Sequence, residues 1–155
     1  MPVYHGTMTR TAALLAWMVF GAGCAGTTEH VLTFEPGEHR ATAAAVRVDV
    51  VEARYAERQL TVRCVVVNDG STVLEIDRAG ILLDDGGLEL PSGPLPGQPE
   101  QVSVQPDESA SLLLVFPVAG HQPTRRTLGL WVLDRDGAHL PPIRVDVPGI
   151  RTQSA

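Results

Sequence analysis

The chain contains no lysine, and its twelve basic residues are all arginine. That absence removes Schiff-base chemistry and the lysine of a phosphate-binding loop. Basic charge is also scarce: 12 Arg stand against 18 acidic residues, a net charge of −6, so the footprint of a nucleic-acid binder is missing and no nucleic-acid partner is expected. Cysteines number two, Cys24 and Cys64. If the first is committed elsewhere, the second has no partner for an internal disulfide, and the fold must stand on its hydrophobic core. Long apolar runs are absent as well. The longest block, "TAALLAWMVFGAG", falls short of the roughly 20 residues that cross a bilayer. Beyond it no segment sustains a 3.6-residue apolar repeat for three turns, and "VEARYAERQL", the nearest approach, is short.

What is present begins with that apolar block. Arg10 is the only charged side chain before Glu29, and the block that follows it closes on small residues, which is the outline of a secretory signal peptide. A start at Met8 would bring Arg10 closer to the amino terminus, as such signals prefer. The end of the run, Ala22-Gly23-Cys24-Ala25-Gly26, looks like a bacterial lipoprotein signal, although Gly21 stands where Leu, Val or Ile is usual three residues before the cysteine. That resemblance implies that the Cys24 thiol receives a diacylglyceryl group, that the chain is cut before it, and that the new amino terminus is acylated. Cleavage of an ordinary signal peptide near the same place is the competing reading. "GAGCAG" is not a phosphate loop, because no strand precedes it and no lysine follows. The expected organisation is a signal peptide over 1–23, a lipidated Cys24 with a tether over 24–45 that contributes one short strand at "VLTF", a β domain over 46–148, and a disordered tail over 149–155.

Regular alternation starts at Val46, where "VRVDV" sends Val46, Val48 and Val50 to one side. "QLTVRCVVVNDG" repeats it, with Leu60, Val62, Cys64 and Val66 on one face and a turn at Asn68-Asp69-Gly70. Cys64 therefore reads as a small buried hydrophobe rather than a reactive thiol. A hairpin is expected around Asp84-Asp85-Gly86-Gly87. Residues 91–99, "PSGPLPGQP", hold four prolines and two glycines and must be a loop. A long strand of apolar residues on both faces follows over 109–118, as in a strand near the middle of a packed sandwich. "HQPTRR" is a second loop, and the chain closes with a hairpin turning at 134–137. Trp131, alternating with Leu130 and Val132, reads as core unless its face proves exposed. About seven strands spaced by turns indicate a single antiparallel β-sandwich, immunoglobulin-like, with a partly open barrel as the alternative.

"VVVNDGSTVLEID", "AGILLDDGGLELP", the Pro/Gly loop and "VQPDESASLLLVFPV" together resemble immunoglobulin-like domains of unknown function found on secreted bacterial lipoproteins. The resemblance spans 46–147 and implies a fold and a compartment, with no catalytic residue to carry over. Asp107 takes the place of the Gly usual in the turn before the long strand.

Candidate chemistry is sparse. "DDGG" and "DRDG" place carboxylates beside glycine, but the remaining ligands of an EF-hand loop are missing, so both read as hairpin turns. His30, His39, His121 and His139 are scattered and form no metal motif, and no Gly-x-Ser-x-Gly elbow surrounds a serine. No enzyme activity, cofactor or metal is expected. The expected function is a lipid-anchored envelope protein, on the outer membrane facing the periplasm or the cell surface, acting as a non-catalytic interaction or structural module. A periplasmic small-ligand or metal carrier is the alternative. Its partners would be the membrane, through the N-terminal lipid, and another envelope protein. Binding is expected at loops gathered at one end of the sandwich, through Pro94, Leu95, Pro96, His121, Arg125 and Arg126, or by strand pairing along an exposed sheet edge.

Overall fold

The computed structural model of the protein describes residues 29–119, 126–134 and 136–149. Cys24, His121, Arg125 and all but the first residue of the expected tail lie outside these. Among the described residues the protein is all-β, with several antiparallel sheets and one short 3-10 turn. No helix there is long and apolar enough to cross a membrane.

The first sheet is built on two long strands, β3 (Val46–Ala56) and β4 (Gln59–Asn68), joined by a tight turn at Glu57-Arg58. Their inward residues Val48, Val50, Ala53, Leu60, Val62, Cys64 and Val66 are completely or almost completely buried. β9 (Ser109–Pro117) pairs with the far side of β4. On the other side of β3 lie β1 (His30–Thr33) and β2 (Arg40–Ala43), one against each half, separated by a bulge at Val51 whose carbonyl accepts from the Phe34 N–H at 3.0 Å. Strand pairing among the described residues therefore starts at His30, ahead of Val46. Two short strands of mixed polarity fill the edge that β3 would otherwise leave open, within the stretch expected as tether.

Two further sheets complete the core. One orders β12 (Ile143–Val147), β10 (Arg126–Leu130), β6 (Leu82–Asp85) and β7 (Glu89–Pro91), and the other orders β11 (Val132–Asp134), β5 (Leu74–Asp77) and β8 (Gln101–Val104). β10 and β11 are separated only by Trp131, and β5 and β6 only by the 3-10 turn Arg78–Gly80 and Ile81. Interruptions of this kind raise the segment count to twelve among the described residues, above the seven or so runs legible in the alternation. Leu74, Ile76, Leu83, Leu128, Leu130, Val132, Ile143 and Val145 join the inward residues of the first sheet in one core.

Turn chemistry fixes the connections. Asn68 is fully buried, donates from Nδ2 to Thr72 O (2.8 Å) and Val104 O (3.0 Å), and accepts from the Gly70 N–H (3.0 Å). Its own carbonyl accepts from the Asp107 N–H at 2.9 Å, and Asp107 holds φ +61°, the left-handed region where glycine is usual. The β6–β7 hairpin turns through Gly86 and Gly87, both at positive φ, as the sequence implies. The final hairpin differs from expectation. β10 pairs directly with β12, while β11 leaves for another sheet and the 134–137 turn closes only a bridge between Leu133 and His139.

Candidate functional site

The proline-rich loop lies on the flank of the domain. Beyond β7, the Ser92 N–H donates to Ile81 O (3.1 Å) and the Gly93 N–H donates to Val115 O (2.7 Å). At the far side of the loop, Glu100 O accepts from the Arg78 N–H at 2.9 Å, and within it the Gln98 N–H donates to Leu95 O at 3.1 Å. Two prolines flank Leu95 and remove donors that a free strand would expose. The chain is thereby held at both ends, and between it and the 3-10 turn opens a cleft of about 300 Å³ lined by Asp77, Arg78, Ala79, Ser92, Pro94, Leu95 and Glu100 among others. Of the three candidate residues in the loop, Pro94 and Leu95 line this cleft and Pro96 does not.

Arg78 shapes the cleft floor. It is 7% exposed, and its Nη2 donates to Leu113 O on the outer edge of β9. The Asp77 carboxylate holds the turn by accepting from the Ala79 N–H at 2.9 Å. With Leu113 O bound by Arg78 and Val115 O bound by Gly93, two carbonyls of the β9 edge are already occupied, which blunts that edge for pairing with another chain. β9 is the last strand of its sheet. Its outward Leu113 and Val115 are half-buried although they face away from the core.

The second group of candidate residues is not where the sequence suggested. Arg126 opens β10 and is 1% exposed, so it neither solvates a loop nor clamps a surface anion. Its Nε lies 2.9 Å from Asp85 Oδ1, and its guanidinium carbon sits 5.7 Å from the centroid of the Tyr55 ring. Burial pushes the Tyr55 phenol upward, the Arg126 charge opposes that shift, and the hydroxyl donates to Pro148 O. Arg126 is separated from the proline-rich loop by the length of β6, since Arg126 pairs with Asp85 and the loop begins beyond the Pro91–Leu82 pair. His121 and Arg125, the other residues expected at that loop, lie outside the described residues.

Two further surface features lie outside the expected loops. Residues 126, 128, 130 and 132 point inward, so Trp131 points outward, with the edge of its six-membered ring across Gly129. Around it Asp84, Glu89, Thr127 and Arg144 line a shallow depression of about 20 Å³. A polar groove of about 250 Å³ runs between Glu38, His39, Arg40 and Arg144-Val145-Asp146. There Arg40 grips Asp49 through two bonds of 2.7 and 3.0 Å, which raise its pKa further, and His39 packs edge-on against Phe34. Among the described residues no three His, Cys, Asp or Glu side chains converge as a metal site would require. Cys64 is fully buried, and desolvation pushes its thiol up to about 12, with a small opposing effect of Arg78. It behaves as the buried hydrophobe that its strand position implied.

No protein-family model matches the chain. No curated protein matches it either. Solved structures do resemble it. A protein from Bacillus subtilis described as a "putative lipoprotein" (ycdA) aligns over 70% of this chain at 14% identity with a TM-score of 0.57, and the aligned part is 38% of that protein. The yjhA protein from Bacillus subtilis aligns over 61% of this chain and 78% of its own length at 14% identity, with a TM-score of 0.49. The first likeness is one of fold, and the chain spans well under half of that protein's length.

Proposed function

We propose that the protein is a lipid-anchored, non-catalytic module of the bacterial envelope, an immunoglobulin-like sandwich that binds a partner in the cleft beside its proline-rich loop. The cleft carries the reading. It is concave, its rim is pinned by backbone hydrogen bonds at Ser92, Gly93 and Glu100, and it combines the apolar Pro94 and Leu95 with Asp77, Arg78 and Glu100. A rigid loop of this kind presents surface at low entropic cost. The outline of a lipoprotein signal ending at Cys24 supports the anchor, and the fold likeness to a protein described as a lipoprotein agrees with it. Placement on the outer membrane, facing the periplasm or the surface, belongs to the same proposal.

A photo-crosslinking residue at Leu95 tests the cleft in intact cells. Deleting the loop would not serve, because it would also free Val115 O at the β9 edge. The expected result is a discrete adduct from position 95 that is missing from a matched probe at the exposed Asp136. Identical patterns from both positions would remove the cleft from the account, and loss of the adduct to a competing small anion or metal would favour a carrier.

A further inference from the structure

Residues 25–29 separate Cys24 from the first strand among the described residues. Six steps of extended chain reach at most about 20 Å. β3 alone, at eleven residues, is about 36 Å long, so a lipid on Cys24 keeps the His30 end within about 20 Å of the membrane and nearer to it than the far end of β3 can come. Which end meets the lipid follows from pairing. His30 pairs with Tyr55, whose ring carries Arg126; Arg126 pairs with Asp85; and the Asp85 N–H donates to Leu88 O at 2.9 Å. The Glu57-Arg58 turn adjoins Tyr55 at the same end.

The surface of this end differs from the rest. Among the described residues, the exposed large hydrophobic side chains are Leu88 (62%) and Val31 (47%). Leu88 tips the β6–β7 turn, and Val31 follows His30 in β1, so both lie at the end where the chain arrives from Cys24. The opposite end gathers acids. Asn68 reaches Val104, Val104 pairs with Leu74, and Leu74 pairs with Asp134, which brings together the turns holding Asp69, Asp107, Glu108, Asp134 and Asp136. Arg47, bonded to Asp69, and Arg135 of the sequence offset only part of that charge. At the His30 end, Glu29 lies 3.5 Å from Arg54 and Asp85 lies 2.9 Å from Arg126, while Asp84 and Glu89 flank the Leu88 turn. An anionic lipid surface repels the first end, whereas the second presents the two exposed apolar side chains.

We infer that the domain stands on the membrane, its Leu88 and Val31 end in contact with the lipid headgroups and its acidic turns directed away. This rests on the lipid-anchor reading of Cys24. The test uses the chain from Cys24 onward, which contains the whole described fold, with Cys24 coupled to a maleimide lipid; buried Cys64 does not compete. Amide hydrogen exchange is compared with and without mixed phosphatidylethanolamine–phosphatidylglycerol vesicles. Exchange at Gly86, Gly87 and Leu88 is expected to slow several-fold, with no change at residues 69–72 and 107–108, and Leu88→Asp is expected to abolish the slowing. Equal exchange with and without vesicles, or protection that survives Leu88→Asp, overturns the inference. Because the lipid is attached chemically, that failure is distinct from finding Cys24 unacylated in cells.

Discussion

Arg126 Nε stands 2.9 Å from Asp85 Oδ1 with the two side chains 2% and 13% exposed. The pair ties β10 to β6, and through the Tyr55 ring it reaches β3, so one buried cation links two sheets. Such a pair is costly to break from one side because the abandoned charge remains buried. Arg126→Met is expected to lower unfolding free energy by about 3 kcal/mol. Arg126→Met with Asp85→Asn is expected to recover much of it. Urea denaturation of the two variants checks this, and a single variant as stable as the wild type would show that the pair is not a structural clasp.

Cys64 gives a pH dependence of definite sign. Its thiol rises from the ordinary value of 9.0 to about 12 in the fold, chiefly by desolvation. The unfolded chain therefore loses this proton first, and stability present below pH 9 is lost as pH rises toward 12. At full effect the loss is about 4 kcal/mol. Tyr55 shifts in the same direction and contributes at the alkaline end. Cys64→Val, close in size, is expected to flatten the alkaline limb of the urea midpoint between pH 9 and 11. An identical limb in the variant would assign the effect elsewhere.

Asp107 is exposed and holds φ +61° in the turn that feeds β9. A branched residue is strained by that backbone directly, so Asp107→Val is expected to cost about 1–2 kcal/mol while the core packing stays as it is. Asp107→Gly is expected to be neutral or slightly stabilising, since the gain in backbone comfort is offset by a more flexible unfolded chain. Thermal unfolding of the pair reads the difference. Equal effects of Val and Gly would mean that the turn relaxes out of the left-handed region.

Period-two alternation makes β3, β4 and the burial of Cys64 legible, and the glycine pair marks the β6–β7 turn. The same alternation also carries the orientation of two residues whose chemistry misleads: with Leu128, Leu130 and Val132 inward, Arg126 must point inward and Trp131 outward. At those two positions the phase of the strand outweighs charge and size. β1 and β2 are less visible because "HVLT" and "RATA" are short and half-polar, and only the open edge of β3 turns them into strands. The proline-rich loop is legible as a loop, but its position on the flank follows from Gly93 and Arg78 meeting β9, a long-range pairing that no local pattern encodes.

Lipid attachment at Cys24 underlies both the proposed function and the orientation of the domain. The most direct test is the intact mass of the protein recovered from a membrane fraction, for wild type and Cys24→Ala. The account predicts, for wild type only, the mass of residues 24–155 plus a diacylglyceryl group and one acyl chain. A wild-type protein cleaved near the same place but carrying no lipid would contradict it, leaving a freely diffusing secreted domain with an unmodified amino terminus.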